Sequence, residues 1–245
     1  MFHVEQSLRF RTICQTNGLT PADQQIELLR KYVTLLTDWN EKVNLVSRAD
    51  VQNIWLSHIL HSLTPLFYVE LPVDCHLLDL GSGGGLPGIP LAILRPDMKV
   101  TLLDSIQKKT GAVSEILFKL GLPNCTVATG RAEEVNRDPA FANSFDGVIA
   151  RGVAPLVDLV KWSKPFLRVG ETRPDDGEES PVRHRTCRIP FLIALKGGDL
   201  EAEIRKAEIK QRGDRTTTVI DIRFEGSGEL GLTEKKIVLV EFRLS

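Results

Sequence analysis

Apolar residues in the first quarter of the chain recur at steps of three and four. One series comprises Ile26, Leu29, Tyr32, Val33, Leu36 and Trp39, and a second comprises Val51, Ile54, Trp55, Ile59, Leu63 and Leu66. This spacing puts the apolar side chains of each series on one face of a helix. We therefore expect residues 1–70 to form an N-terminal helical extension that packs on the core of the protein.

From residue 71 onward, short apolar runs alternate with amphipathic stretches. The runs predict strands at 76–80, 99–103, 126–128, 145–150 and 191–195, and the stretches between them predict helices near 87–94, 106–120 and 154–166. Alternation of this kind is the signature of βαβ units, whose strands lie parallel in one sheet.

The C-terminal part differs, because two β-rich runs, 217–224 and 236–242, flank the glycine-rich segment Gly226-Ser227-Gly228. Such a pattern predicts an antiparallel hairpin. A mostly parallel sheet closed by a hairpin resembles the methyltransferase version of the doubly wound fold. The predicted class of residues 71–245 is therefore α/β, with a Rossmann-like sheet of the class I S-adenosylmethionine methyltransferase type.

One segment interrupts this pattern. Residues 171–190 carry acids first and bases later, with three prolines and few apolar side chains. A segment of this composition cannot bury enough apolar surface to form a packed element. We expect a mobile insertion, and a passive role is favoured over that of a functional lid.

Composition narrows the class of protein. The 245 residues are 42% hydrophobic and 26% charged, and a formal net charge of −1 argues against indiscriminate adhesion to nucleic acid or membrane.

No run approaches the roughly 20 apolar residues that span a bilayer, and the first residues lack the pattern of an export signal. The four cysteines lie far apart and suggest neither disulfides nor a zinc site. A cytoplasmic protein without a metal is expected.

The candidate chemistry centres on a glycine-rich turn, 81–88, which reads Gly-Ser-Gly-Gly-Gly-Leu-Pro-Gly and follows the first predicted strand. Glycines at such a turn let a ligand approach the backbone and the N–H groups of the next helix. Counted from Gly81, the string is Gly-x-Gly-x-Gly, common in adenosylmethionine enzymes; counted from Gly83, it is the dinucleotide fingerprint Gly-x-Gly-x-x-Gly. Because the apolar run ends at Leu80, the first register is favoured, and the dinucleotide alternative stays open.

Charged residues follow the other predicted strands, at the edge where such sheets bind ligands. Asp104 closes the second strand, where an acid accepts hydrogen bonds from ribose hydroxyls, and the same position also suits a helix N-cap. Residues 131–134, Arg-Ala-Glu-Glu, follow the third strand near the side expected for adenine, and are equally typical of an exposed helix start. Arg151 ends the fourth strand, where a cation suits a phosphate or carboxylate.

Two further groups have simpler alternative explanations. His58 and His61 lie three residues apart on one helix but lack a third metal ligand, so packing or hydrogen bonding is favoured. Basic residues around the crevice form a candidate RNA-facing patch, for which scattered solubilising charge is nearly as good an explanation. These residues are Lys108, Lys109, Arg131, Arg151, Lys161, Lys164 and Lys196.

Motifs that the chain lacks narrow the reaction. Methylation of an exocyclic amine by the Asn-Pro-Pro-aromatic route requires that motif after the fourth strand, where residues 151–155 read Arg-Gly-Val-Ala-Pro. Methylation of a pyrimidine carbon requires a cysteine nucleophile, and Cys75 and Cys125 both precede strands. A ring nitrogen with a free lone pair, such as guanine N7, needs neither group, so catalysis would be positioning and electrostatics.

Several strings match one known family in order along most of the chain. They are Trp39-Asn40, Asn44-Leu45, residues 58–62, 79–83, 86–90 and 102–105 with Lys108-Lys109, then 131–134, 145–151 and 194–198. Together they resemble the RsmG (formerly GidB) family, bacterial guanine-N7 methyltransferases of small-subunit ribosomal RNA. The Gly-Leu-Pro-Gly-Ile-Pro turn is the most specific match. Two departures are His61, where the family's helix motif is expected to have Asp, and the long insertion at 171–190.

The resemblance implies a cofactor, a substrate and a set of site residues. Five residues correspond to family cofactor-site positions: Gly81, Leu86, Ala132, Glu133 and Arg151. Gly83 belongs to the same turn, and Asp104 lies in the adjoining crevice. The weaker candidates for RNA contacts are Lys108, Lys109, Arg131 and Lys196.

The implied reaction is transfer of a methyl group from S-adenosylmethionine to guanine N7 of 16S ribosomal RNA, within the small subunit or an assembly intermediate. No side chain is assigned as a catalytic acid or base, and Arg151 is the nearest candidate for a catalytic role. A small-molecule methyltransferase of the same fold and a non-catalytic adenosylmethionine-binding assembly factor are the alternatives.

Overall fold

The computed structural model describes residues 2–47, 53–169, 185–210, 215–224, 227–228 and 230–243, with side chains from residue 5 onward. The helices are α1 (Phe2–Thr16), α2 (Asp23–Asn40), α3 (His61–Leu63), α4 (Gly88–Leu94), α5 (Gln107–Leu120), α6 (Ala132–Val135), α7 (Leu156–Ser163) and α8 (Glu201–Lys210). The strands are β1 (Val69–Glu70), β2 (His76–Leu80), β3 (Lys99–Asp104), β4 (Cys125–Thr129), β5 (Gly147–Arg151), β6 (Arg185–Thr186), β7 (Phe191–Gly197), β8 (Arg215–Asp221) and β9 (Lys235–Phe242).

Seven of these strands form the central sheet, in the order β4-β3-β2-β5-β7-β9-β8. The pairs from β4 to β7 are parallel, whereas β9 is antiparallel to both β7 and β8. The predicted parallel strands and the antiparallel C-terminal pair are therefore confirmed. The predicted glycine-rich segment, residues 226–228, lies in the connection between these two strands, which spans residues 222–234 and so is longer than a tight turn; Gly226 itself lies outside the described residues.

Alternate residues of the parallel strands enter two separate apolar clusters. In β2, Leu77 belongs to the cluster that includes α2, α4 and α5, and Leu78 belongs to the cluster that includes α7 and α8. In β7, Ile193 and Leu192 divide in the same way. Parallel strands are commonly buried on both faces, which is why these segments read as unbroken apolar runs in the sequence.

The N-terminal helices share the first of these clusters. Phe10 of α1 packs against the buried Trp55, with ring centroids 5.4 Å apart, in a π-helical turn, Trp55–Leu60, that leads into α3. Gln25 of α2 donates from Nε2 to the carbonyl oxygens of Ile93 (2.9 Å) and Leu94 (3.1 Å). These carbonyls end α4 and would otherwise lack partners. The helical layer is therefore bound to the helix that follows the glycine turn, while a domain boundary at residue 70 stays a prediction.

The structure adds elements that the pattern did not predict. Helix α8 packs on α7, and β1 pairs with β6 in a small parallel sheet, with Val69 opposite Arg185. Most of the predicted mobile insertion at 171–190, namely residues 171–184, lies outside the described residues. Its last part is anchored, because Arg185 forms an ion pair with Glu241 of β9 (2.7 Å). None of the helices in the described part of the chain is long and apolar enough to cross a bilayer.

A substitution at Gly147 of β5 would test how tightly the central strands pack. A Cβ at this position would lie 2.2 Å from Cζ of Phe191 in β7. We expect Gly147→Ala to lower the free energy of unfolding by about 1–3 kcal/mol, the usual cost of overpacking.

Gly111 in α5 provides the matched control, because a Cβ there would meet nothing within 4 Å. Gly111→Ala should raise the free energy of unfolding by roughly 0.5–1 kcal/mol through helix propensity. Urea denaturation measures both variants, and effects of the same sign and size would contradict the packing described.

Candidate active site

The carboxyl ends of the parallel strands gather the residues predicted from the sequence. Gly81 follows β2, Asp104 ends β3, residues 131–133 follow β4, Arg151 ends β5 and Lys196 lies near the end of β7. Lys108 and Lys109 lie in the first turn of α5, directly after β3. The chain moves outward from β2 to β4 and then returns to β5 on the other side of β2. Ligands of doubly wound sheets bind at such a switch point.

The glycine turn has a backbone that side chains would obstruct. Gly81, Gly83 and Gly85 have φ values of +73°, +56° and +92°, in the left-handed region that favours glycine. A Cβ on Gly81 would lie 2.6 Å from Cγ2 of Val153, just beyond β5. The N–H of Gly81 donates to the carbonyl of Leu103 (2.7 Å). The turn therefore begins where β2 ends, as the first sequence register requires, and it is held by β3 and the segment after β5.

The N-terminal helical layer covers the other side of this turn, a contact that the sequence analysis missed. The buried hydroxyl of Tyr32 donates to the carbonyl of Gly84 (2.9 Å), and a Cβ on Gly84 would lie 2.8 Å from Leu36 Cδ1. It would also lie 3.2 Å from the Cβ of Leu45, whose own N–H donates to the side chain of Asn40 (2.8 Å). The only sequence signal of this contact is the apolar period of α2, which does not name the partner.

The Asp104 carboxylate joins the turn to helix α5. Its Oδ2 accepts from the N–H of Gly83 (2.9 Å) and its Oδ1 accepts from the N–H of Ile106 (2.9 Å), the residue that precedes α5. The side chain is buried. Asp104 therefore has a backbone-organising role, and its contact with a ribose stays a prediction.

Asp79 is a second carboxylate beside the turn, and it is not among the site residues predicted from the sequence. Its Oδ2 accepts from the N–H of Gly88 (2.7 Å), whereas its buried Oδ1 has no hydrogen-bond partner in the described structure. Burial raises the pKa of Asp79 to about 7, against the opposing effects of the Gly88 bond and the charge of Arg151. An acid inside an apolar strand run was the signal that could have identified it.

The residues predicted to border the adenine and the predicted cofactor contact Leu86 differ in how far they are exposed to solvent. Ala132 and Glu133 begin α6, with Glu133 exposed and Ala132 partly buried. The N–H of Gly130 donates to the carbonyl of Asp104 (3.0 Å), which brings this segment beside β3. Leu86 is buried in the apolar core, so contact with a ligand through its side chain is restricted.

Arg151 connects the end of β5 to the helical layer. Its Nη2 lies 3.1 Å from Nδ1 of His58. Because a guanidinium has only donors, Nδ1 accepts this hydrogen bond and the ring proton lies on Nε2. Both side chains line a cavity of about 490 Å³, together with His61, Lys196 and Lys235.

Lys196, predicted as an RNA contact, is bound inside the protein. Its Nζ donates to Glu203 of α8 and to the carbonyl of Ala154, each at 2.6 Å. Lys108 and Arg131 are exposed, and Lys109 is half-buried. The four candidates are thus at one edge of the sheet but differ in how open they are to a partner.

The cysteines are unsuited to nucleophilic attack. All four are buried, and burial raises the pKa of Cys75 and Cys125 to about 12. The thiolate form needed for catalysis is therefore scarce at neutral pH.

The sheet order, with one antiparallel strand next to the edge, and the glycine turn at the switch point define a class I S-adenosylmethionine-dependent methyltransferase fold. The chain belongs to the family described as "rRNA small subunit methyltransferase G" (GidB), whose sequence profile matches residues 25–173.

Relatives of this family span nearly the whole chain. A Ribosomal RNA small subunit methyltransferase G of Phocaeicola vulgatus is 37% identical over 220 residues, covering 89% of this chain and 92% of the relative. One of Chlorobium phaeobacteroides is 34% identical over 231 residues, covering 94% and 93%. Among solved structures, a predicted O-methyltransferase of Agrobacterium tumefaciens superposes with a TM-score of 0.51 at 18% identity, covering 74% of this chain and 79% of that one, and this likeness shows the fold alone.

The raised pKa of Asp79 predicts a pH dependence of stability. The folded-state pKa of about 7 exceeds the ordinary 3.8, so the folded protein binds the extra proton between these values and loses stability as the pH rises across that interval. Asp79→Asn keeps an acceptor for the Gly88 N–H and removes the titration. We expect the variant to gain about 3 kcal/mol relative to the wild type between about pH 4.5 and pH 8.

Urea unfolding at the two pH values measures this difference. The exposed Asp38 of α2 gives the control Asp38→Asn, which should follow the wild-type profile. Parallel profiles for the wild type and Asp79→Asn would show that the carboxyl titrates normally.

Proposed function

We propose that this protein transfers the methyl group of S-adenosylmethionine to N7 of a guanine in 16S ribosomal RNA, within the small ribosomal subunit or an assembly intermediate, and that it acts in the cytoplasm. The observation that carries the proposal is the position of the glycine turn beside Arg151 at the switch point of a methyltransferase sheet. The names of the relatives support ribosomal RNA as the substrate class.

The residues of the turn fit this cofactor. Gly81 and Gly83 expose backbone without side chains, and the buried Oδ1 of Asp79 has no partner in the described structure. Each Asp104 oxygen accepts one backbone N–H, which leaves capacity for ribose hydroxyls, since a carboxylate oxygen accepts two hydrogen bonds. We therefore add Asp79 to the residues proposed for the cofactor site.

Under this proposal, the predicted cofactor residues divide along the edge of the sheet. Gly81, Gly83 and the backbone at Leu86 hold the amino-acid part, with Arg151 as the cation for its carboxylate. Asp104 holds the ribose. Ala132 and Glu133 border the adenine. When bound, the cofactor supplies an electrophilic methyl group, and the protein supplies orientation.

Guanine N7 suits the side chains that are present. This atom has a free lone pair, so its methylation requires no base and no covalent nucleophile. Burial disfavours the thiolates of Cys75 and Cys125, and residues 151–155 do not provide the Asn-Pro-Pro-aromatic motif for exocyclic amines. Positioning and electrostatics remain as the means of catalysis.

The candidate RNA contacts are the exposed Lys108 and Arg131 and the half-buried Lys109. Lys196 contributes less under this proposal, because Glu203 holds its ammonium group. The net charge of −1 favours a structured target over indiscriminate RNA binding.

The reaction is tested with labelled S-adenosylmethionine and small subunits from cells that lack the methyl group. We expect label on N7 of one guanine. Gly81→Ala should abolish labelling while the fold persists by circular dichroism, because a Cβ there meets Val153 and strains a positive φ. Label on an exocyclic amine, or none from the wild type, would overturn the proposal.

Arg151→Ala should weaken the binding of S-adenosylmethionine by roughly tenfold or more, since charged hydrogen bonds contribute about 1.5–3 kcal/mol. Calorimetry measures the affinity, and the exposed Arg137 supplies the control Arg137→Ala. Unchanged cofactor affinity, particle affinity and turnover would remove Arg151 from the site.

The same assays separate the alternatives. Activity on metabolites but not on ribosomal particles would indicate a small-molecule enzyme, and cofactor binding without turnover would indicate an assembly factor. Tight binding of NAD with none of S-adenosylmethionine would overturn the cofactor assignment.

A further inference from the structure

The cavity of about 490 Å³ is lined by the segment after β5 that also reaches the glycine turn. Val153 fills the space next to Gly81, and the two residues before it, Arg151 and Gly152, line the cavity. Its walls come from the helical layer, from the ends of β5 and β7, and from residues 230–235. A ligand in the cavity would therefore adjoin one held by the turn.

The charged side chains that line this cavity are all basic. Arg151 is bonded to His58, and Lys196 is bonded to Glu203. Lys235, at the start of β9, has no carboxylate partner among the residues that the structure describes. Its Nζ lies over Gly197, 3.3 Å from where a Cβ would be, so the glycine leaves room for the lysine side chain. Because Arg151 is assigned to the cofactor carboxylate under the proposed function, Lys235 is the cation that we consider for a second anion in this cavity.

His61 is the second group whose bonding is incomplete. Its side chain is 6% exposed and lines the cavity, and its buried Nε2 has no hydrogen-bond partner in the described structure. Burial is the main cause that lowers the pKa of His61 to about 3, and the neighbouring charges of Arg151 and Lys235 contribute to the same shift. The imidazole is therefore a neutral hydrogen-bonding group beside a cation. Buried polar atoms usually have a partner, which a ligand would provide here.

We propose that this cavity receives the acceptor nucleotide, with a phosphate on the ammonium of Lys235 and the base or ribose against Nε2 of His61. The inference rests on the proposed function and deepens it by assigning the substrate nucleotide to named positioning residues. A volume of about 490 Å³ lies within the range of small-ligand pockets, roughly 300–1,000 Å³.

Charge decides which part of the nucleotide each residue faces. Methylation at N7 leaves a positive charge on the guanine ring, so a cation beside the base would oppose the reaction. A neutral imidazole does not oppose it. The phosphate keeps its negative charge throughout and is stabilised by a lysine.

Nuclear magnetic resonance titration with guanosine 5′-monophosphate and guanosine tests the phosphate contact without catalysis. Lys235→Gln should weaken binding of the monophosphate roughly tenfold and leave guanosine unchanged, because only the monophosphate has the anionic group. Lys236→Gln is the matched control, since Lys236 is the next residue of β9 and pairs with Asp221 outside the cavity. Equal affinity of wild type and Lys235→Gln for the monophosphate would overturn the assignment, as would failure of the wild type to bind it at millimolar concentration.

Methylation kinetics on small subunits test the histidine. His61→Leu should raise the KM for particles several-fold with little change in kcat, and His61→Gln, which keeps a polar nitrogen, should restore most of the loss. A fall in kcat alone, or no rescue by glutamine, would contradict a positioning role.

The two proposals fail in different ways. A wild type that does not methylate particles defeats the proposed function, while the titration still tests the phosphate site. A wild type that methylates N7, with Lys235→Gln indistinguishable from it in both assays, defeats the cavity assignment alone.

Discussion

The shape of the glycine turn depends on neighbouring groups that occupy the space where side chains would lie. Leu36 and Leu45 of the helical layer occupy the space where a Cβ of Gly84 would lie. Val153 occupies the corresponding space at Gly81. Three separate parts of the chain therefore meet on one stretch of bare backbone. This contact fixes the helical layer relative to the sheet, and the layer in turn brings His58 within hydrogen-bond distance of Arg151. The N-terminal helices are thus part of the site's construction.

Two carboxylates beneath the turn have opposite surroundings. Asp104 is held by two backbone N–H groups, whereas Asp79 has one such bond and one oxygen without a partner in the described structure. Hydrogen bonds stabilise a charged carboxylate, and burial without enough of them destabilises it. The turn therefore rests on one acid with two backbone hydrogen bonds and one acid whose pKa burial raises to about 7.

Much of this architecture could be predicted from the sequence, because strands buried on both faces, such as β2 and β7, appear as continuous apolar runs. Helix α8 could not, since Ala207 is its only buried residue and so no apolar stripe marks it. The sequence placed Arg151 and Asp104 at the correct edge through strand order alone. Their partners were not predictable, because the bond from Arg151 to His58 joins residues 93 positions apart and arises only from tertiary packing.

Strand β9 connects the edge of the sheet to the cavity. It lies between β7 and β8, and in the described sheet β8 pairs with β9 alone. Strand β8 therefore joins the sheet through β9, residues 235–242, which pairs with β7 on its other side. The same strand brings Lys235 to the cavity wall. One strand thus supplies both the sheet partner of β8 and a lysine of the cavity wall, so a change that displaces β9 would alter the sheet edge and the cavity together.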